Sequence, residues 1–155
     1  MKKIVLALSL VIVPLTAKAQ TEVSDEIIQN AAEELKPALC NNDLRKAIGI
    51  TQDCYKASRH AEIDKINQCV LEDFMTSGLV KMKRTKAEKN GETDPYSDIE
   101  FVNPDNVKLR LIKYRNSYSY DNKASEIMRK KLYNDTMRVA LVLHKGGCFN
   151  PNEIH

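Results

Sequence analysis

Apolar residues recur three or four positions apart through most of this chain, which is the spacing of one face of an α-helix. Polar and charged residues fill the positions between them. The predicted helical stripes are Ile27, Ala31, Leu35 and Leu39; Leu44, Ala47, Ile48, Thr51 and Tyr55; Ile63, Ile66, Val70 and Phe74; and Met128, Leu132, Thr136, Val139 and Leu143. The pattern predicts a mainly α protein, a small bundle of about four to five helices.

Residues that begin and end helices flank these stripes. Ser24 and Asn42 precede the first two stripes and are suitable N-caps, because their short polar side chains accept hydrogen bonds from free backbone N–H groups. The third helix can continue to Asn90-Gly91, and the last can begin after Asn122 and end at Gly146-Gly147. These signals place four helices, with Pro37 marking a kink or an end in the first.

Residues 99–115 are compatible with two local structures. In one, the sequence NPDN (103–106) forms the turn of a short β-hairpin between residues 101–102 and 107–109. In the other, Asn103 caps a helix that has Pro104 at its first position. The helix places Val107, Leu111, Tyr114 and Tyr118 on one stripe, whereas the strand loses its alternation at residue 112. We favour the helix.

The first nineteen residues have the layout of a secretory signal peptide. Two lysines precede an apolar run over residues 4–15, and the small-x-small triplet Ala17-Lys18-Ala19 follows it. The run is shorter than the roughly 20 residues that a membrane-spanning helix requires. We therefore expect cleavage after Ala19, a single mature domain over residues 20–155, and a periplasmic location without stable membrane insertion.

Removal of that peptide changes the charge of the protein. The full chain has 24 Lys+Arg and 21 Asp+Glu, and residues 1–19 contain three of the lysines, so the mature chain has 24 − 3 = 21 basic and 21 acidic residues. A neutral periplasmic chain does not favour nucleic-acid binding. Residues 20–80 carry net −5 and residues 81–155 net +5, a polarity that can orient a protein partner or the second copy of a homodimer.

The four cysteines predict two disulfides, because an even number of cysteines in an oxidising compartment is typical of cross-linked domains. If the second and third helices form an antiparallel hairpin, Cys54 and Cys69 lie almost level with each other. This leaves Cys40 to pair with Cys148. A catalytic thiolate at Cys148 with His144 as its base is the less favoured alternative, since it requires a reduced thiol.

A basic and aromatic cluster is the predicted protein-binding surface. Tyrosine and arginine are the residue types enriched in the energetic centres of protein interfaces. The predicted partner-binding residues are Arg110, Tyr114, Arg115, Tyr118 and Tyr120, with Lys83 and Arg84 as a charged rim. The competing interpretation is that the tyrosines cover the core while the charges face water.

No short catalytic motif occurs in the sequence, and the histidines and acids do not have the spacing of a metal site. We therefore expect a binding protein that is not an enzyme and needs no cofactor or metal. In size, compartment and disulfide content it is similar to small periplasmic immunity proteins, which neutralise toxins; the likeness involves no shared motif. The alternatives are a periplasmic chaperone or assembly factor, and a small hydrolase whose site the sequence does not reveal.

Overall fold

The protein is a bundle of α-helices. The computed structural model describes residues 23–58, 63–115 and 124–148, and of residues 114, 115 and 124–129 it describes the backbone only. The elements are α1 (Asp25–Leu39), α2 (Leu44–Ala57), α3 (Ile63–Lys89), a 3-10 helix (Glu100–Val102), α4 (Pro104–Arg115) and α5 (Ala124–Lys145). The predicted helical bundle is confirmed, and residues 104–115 form the predicted helix rather than a hairpin. The predicted signal peptide and the proposed cap Asn122 lie outside the described residues.

The long helix α3 is the centre of the bundle, since α1, α2, α4 and α5 all pack against it. Its segment from Gln68 to Asp73 is buried at every position. The predicted stripe on α3 is therefore only partly correct: Val70 is buried, but Ile63 is 54% exposed. A helix that has neighbours on several sides buries its whole circumference, so no single stripe describes it.

The ends of the helices follow local hydrogen bonding, with one correction. Ser24 caps α1 as predicted, because its Oγ accepts a hydrogen bond from the backbone N–H of Ile27 at 3.3 Å. The cap of α2 is Asp43, whose Oδ1 accepts from the Lys46 N–H at 2.9 Å, so the prediction of Asn42 was wrong. Asn42 instead has φ +57°, a left-handed conformation that asparagine tolerates better than most residues. It makes the sharp reversal between α1 and α2.

Two disulfides join the helices, with the predicted partners. Cys54 of α2 pairs with Cys69 of α3, with Cα atoms 5.5 Å apart, as the antiparallel hairpin requires. Cys40 after α1 pairs with Cys148 after α5 across 108 residues of sequence. Disulfides of this kind form in an oxidising, extracellular-type compartment.

Helix α5 is fixed to α1 at two places. Near the start of α1, the Arg138 guanidinium donates to the backbone oxygen of Val23 at 3.1 Å and to a carboxylate oxygen of Asp25. At the far end of α1, the Cys40–Cys148 disulfide joins the ends of the two helices. The two helices therefore run in the same direction, and the second half of α5 is held along its length.

Candidate partner-binding surface

Arg110, a predicted partner-binding residue, has a structural role. Its guanidinium makes two hydrogen bonds of 3.0 Å to the two carboxylate oxygens of Asp73, which is fully buried on α3. It also donates to the Phe101 backbone oxygen at 2.6 Å and stacks on that ring, 3.5 Å from its centroid. The side chain is only 17% exposed. These contacts hold α4 against α3, and the predicted role of Arg110 at an interface stays a prediction.

Two hydroxyl groups, one on α2 and one on α3, also donate hydrogen bonds to Asp73. The Tyr55 hydroxyl donates to its Oδ2 at 3.1 Å, and the Ser77 hydroxyl donates to its Oδ1 at 2.8 Å. A buried carboxylate is tolerated when a cation and hydrogen-bond donors satisfy both oxygens in this way. Asp73 is thus the point at which α2, α3 and α4 are joined by polar contacts.

Arg84, one of the two residues of the predicted charged rim, also makes contacts within the molecule. Its Nε donates to Asp94 at 2.8 Å, and its two terminal nitrogens donate to the backbone oxygens of Val102 and Tyr96 at 2.6 and 3.1 Å. The side chain is 19% exposed. Arg84 and Arg110 share this internal role, because each guanidinium satisfies backbone oxygens that the long α3–α4 connection leaves without helical partners. The predicted role of Arg84 at an interface stays a prediction.

The other predicted binding residues remain predictions. Lys83 is exposed on α3 and can meet a partner. Tyr114 and Arg115 lie in the last turn of α4, where only the backbone is described. Tyr118 and Tyr120 lie outside the described residues. Whether these tyrosines cover the core or face a partner is therefore decided by experiment and not by the described part of the chain.

The exposed side of α5 carries an apolar stripe that the sequence analysis missed. Tyr133, Met137 and Leu141 are 56%, 37% and 53% exposed, although Val139, Ala140 and Leu143 on the opposite side are buried in the core. The three residues are four positions apart, so they lie along one row of the helix surface. The sequence signal for this stripe is a second row of apolar residues in addition to the row that forms the core. This segment of α5 is therefore apolar on two sides.

A smaller exposed apolar pair lies on α4. Leu109 and Ile112 are 63% and 44% exposed and are three positions apart. Exposed lysines, Lys108 and Lys113, flank them. Scattered exposed apolar residues are normal on a protein surface, whereas a continuous row on a helix is typical of an interaction site. The α5 row is accordingly the stronger candidate, and we call Tyr133, Met137 and Leu141 the α5 stripe.

A pair of acids lies between α1 and α3, with Glu72 buried and Glu34 exposed. Glu72 is fully buried, and its Oε1 accepts a hydrogen bond from Gln68 at 2.8 Å. Burial, the largest cause, raises the pKa of Glu72 to about 8; Gln68 opposes this rise and the charge of Glu34 adds to it. The hydrogen bond between the two carboxyl groups also raises the pKa of Glu72 and lowers that of Glu34, so we assign the shared proton to Glu72.

Glu34 is the ionised member of this pair. Desolvation is the largest influence and would raise its pKa, but hydrogen bonds from Lys65 and Gln68 outweigh it and the net shift is downward. The Lys65 ammonium donates to Glu34 at 2.9 Å. One proton and one cation therefore satisfy the two carboxyl groups.

This pair does not make a metal site as it stands. Glu34, Glu72 and the Cys54 sulfur place one atom each within 4.8 Å of one another, a spacing that could hold an ion. The sulfur is bonded to Cys69, however, so it offers no thiolate. The two remaining carboxyl groups already share a proton and face Lys65, whose positive charge opposes a cation.

All four cysteines are in disulfides, so the alternative of a Cys148 nucleophile activated by His144 was wrong. His144 is exposed in the last turn of α5, where a positive charge suits the negative end of the helix dipole. Gly147 ends the helix with φ +75°, and the backbone N–H of Cys148 then bonds to the Leu143 oxygen at 3.0 Å. This turn directs Cys148 toward Cys40.

A shallow pocket of about 290 Å³ lies between α3 and the connection to α4. Its charged residues are Arg84, Asp94 and Glu100, and the first two are paired with each other. Arg84 also donates to two backbone oxygens, so its guanidinium is engaged within the molecule. We build no catalytic proposal on this pocket.

In the parts of the chain that the structure describes, none of the helices combines the length and apolar character needed to cross a bilayer. The comparisons with known proteins add no relative: no protein-family model, no curated protein and no solved structure matches this chain.

Proposed function

We propose that this chain is a small periplasmic protein that binds another protein and neutralises it without catalysis, in the manner of an immunity protein or inhibitor. The observation that carries the proposal is the α5 stripe: three large apolar side chains exposed in one row on a helix whose other side is core. Leaving such a row in water costs free energy, and burial against a partner recovers it. The predicted signal peptide and the two disulfides support the periplasmic location.

The stripe lies on a rigid support. Arg138 holds α5 to the start of α1, and the Cys40–Cys148 disulfide holds its end. Leu141 lies between these two attachments along the helix, and Met137 directly precedes Arg138. A surface that is already ordered loses little conformational entropy when it binds, which favours tight binding to one partner.

The predicted patch on α3 and α4 contributes in a different way. Lys83 is exposed and suited to steering an acidic partner, while Tyr114, Arg115, Tyr118 and Tyr120 remain predicted contacts. We keep this patch as a second contact region. It is weaker than the α5 stripe because two of its arginines are engaged within the molecule.

The test is capture of a partner by the tagged full chain, exported in a Gram-negative host, from periplasmic extract and culture fluid. We expect one protein bound in a 1:1 ratio. Tyr133→Ala should then weaken binding by about 2 kcal/mol, as at an interface hot spot, measured by calorimetry. The matched control is Ile63→Ala, which removes an equally exposed apolar side chain from the start of α3 and should leave the affinity unchanged.

Other results would favour the alternatives. Suppression of aggregation of several unrelated unfolded proteins, without a stoichiometric partner, would indicate a chaperone or assembly factor, because the exposed apolar side chains of α4 and α5 would also suit unfolded clients. Turnover of a substrate by the purified chain would indicate a hydrolase. Either result contradicts the proposed neutralising function.

A further inference from the structure

We infer that the α5 stripe binds one helix of the partner, and that this helix is acidic at both ends of its apolar face. The inference rests on the proposed function and specifies the chemistry of the partner. It follows from three features of α5: the width of the stripe, the lysines at its two ends, and the charges that a second copy of the chain would bring.

The shape of the stripe suits a single helix. Tyr133, Met137 and Leu141 are four residues apart, so the row turns through roughly 80° and extends about 12 Å along the axis. Side chains in such a row form a ridge that packs into the groove of another helix. A membrane surface requires a wider apolar face than this, because an interfacial helix is immersed along its whole apolar side.

A lysine stands at each end of the stripe. Lys145 continues the row four residues after Leu141, and Lys130 lies three residues before Tyr133; both are exposed. Within the described part of the chain, neither takes part in an ion pair. Their charges are therefore free to attract acidic side chains on the partner, about four helical turns apart.

The acid on this part of α5 does not neutralise these lysines. Residues 130–145 contain four Lys or Arg and one Asp, for a net charge of 4 − 1 = +3. The single acid, Asp135, is 4% exposed and accepts a hydrogen bond from Arg138 at 2.8 Å. The exposed side of the helix is therefore basic around an apolar centre.

A second copy of the chain is a poor occupant of this surface. In a symmetric antiparallel pairing about Met137, Lys130 of one copy would lie level with His144 and beside Lys145 of the other. In a parallel pairing each lysine would face its own equivalent. Like charges brought together at an interface oppose association. The acids of α1 on a second copy could meet the stripe only in a head-to-tail contact, which produces open chains rather than a closed dimer.

The test uses the photo-reactive residue p-benzoylphenylalanine at position 137 of the full chain, in cells that export it. Cross-linked peptides are mapped by mass spectrometry. We expect adducts with one segment of one protein, with net negative charge and apolar residues at helical spacing. The matched control carries the same photo-reactive residue at position 109, on the exposed side of α4, and should not label that segment.

A second measurement examines the charges. Once the cross-linked protein is purified, the double variant Lys130→Glu/Lys145→Glu should slow its association at least tenfold and remove most of the dependence of that rate on salt. The control Lys46→Glu changes an exposed lysine in the first turn of α2 and should have little effect. Equal melting temperatures of all variants would show that folding is unchanged.

Several results would overturn the inference. Adducts at position 137 with phospholipid would identify a membrane surface, and adducts with a second copy would identify self-association. A neutral or basic partner segment would contradict the charge argument. If the wild-type chain captures a 1:1 partner that cross-links only through position 109, the binding function stands and the α5 inference fails. If no stoichiometric partner is captured at all, the proposed function fails with it.

Discussion

Glu72 and Asp73 are adjacent on α3, and both are fully buried, yet the fold accommodates them in different ways. Asp73 pairs with the guanidinium of Arg110. Glu72 forms no ion pair among the described residues, and burial raises its pKa to about 8, so it keeps a proton that it shares with Glu34. Since a helix turns by about 100° per residue, the two neighbours face different helices and therefore different partners.

The proton on Glu72 makes the stability of the protein depend on pH. In the unfolded chain the group loses its proton near its ordinary pKa of 4.5, and in the folded protein near about 8. Between these values the folded state holds the additional proton. The free energy of unfolding therefore falls as the pH rises from about 4.5 to 8, by about 1.4 kcal/mol per pH unit from this group.

Glu72→Gln should remove this part of the pH dependence. The amide cannot ionise, and its NH₂ group can donate to Glu34 in place of the acid proton. We expect the variant to be more stable than the wild type at pH 8 and to have a flatter profile between pH 5 and 8, measured by urea unfolding. The control Glu33→Gln changes an exposed carboxylate on α1. An unchanged slope in the Glu72 variant would show that the acid is ionised in the fold.

Arg110→Ala should destabilise the protein strongly. The substitution leaves the buried carboxylate of Asp73 without its cation, and the loss of one partner of a buried ion pair costs about 3–5 kcal/mol. The control is Arg45→Ala, which breaks the exposed ion pair with Asp98; we expect no measurable shift there, because solvent screens exposed pairs. Thermal unfolding followed by circular dichroism compares the two. Equal effects would contradict the structural role of Arg110.

At the scale of the elements, the connection between α1 and α2 shows how few residues set a helix boundary. Cys40 to Asp43 reverse the chain, and the backbone N–H of Asp43 bonds back to the Ala38 oxygen at 3.0 Å. Asn42 supplies the left-handed residue, and Asp43 supplies the cap. Pro37 does not end α1, because it lies in the last turn and the helix continues to Leu39.

Substitutions at positions 42 and 43 should therefore have opposite outcomes. Asp43→Ala removes the N-cap of α2 and should lower the free energy of unfolding by about 1 kcal/mol. Asn42→Gly should maintain or raise it, since glycine adopts positive φ without steric cost. Chemical unfolding of the two variants measures both values. A larger loss from Asn42→Gly than from Asp43→Ala would restore Asn42 as the cap.

For the whole molecule, the two disulfides stabilise the bundle over different lengths of chain. The Cys54–Cys69 bond closes a loop of 15 residues within one helical hairpin, and the Cys40–Cys148 bond closes one of 108 residues that includes most of the fold. A longer closed loop restricts the unfolded chain more strongly. The second bond should therefore contribute more to global stability.

Paired replacement of cysteine by serine tests this order. We expect Cys54→Ser/Cys69→Ser to lower the free energy of unfolding by about 3 kcal/mol, and Cys40→Ser/Cys148→Ser by about 4–5 kcal/mol. Urea unfolding of the two variants gives the comparison, and non-reducing peptide mapping of the wild type verifies the pairing. A smaller loss for the long-range pair would mean that Arg138 and core packing already hold α5 in place.

Much of this architecture follows from the sequence by local rules. Helical spacing identified the buried sides of α1, α2 and α5, as at Leu35, Ile48 and Val139. The cap at Ser24 and the glycine after α5 were readable because they depend on neighbours within a few residues. The disulfide pairing was also predictable, since an antiparallel hairpin brings Cys54 level with Cys69 and leaves one other pair.

Only the tertiary structure decided which charges are internal. Arg84, Arg110, Glu72 and Asp73 have the composition of surface residues, and nothing in their immediate sequence shows that α3 is surrounded by other helices. Their burial and partners depend on contacts up to 37 residues away, such as that between Arg110 and Asp73. The exposure of Tyr133, Met137 and Leu141 was hidden for the same reason. A local pattern shows that a residue is apolar, whereas the number of neighbouring helices determines whether it is covered.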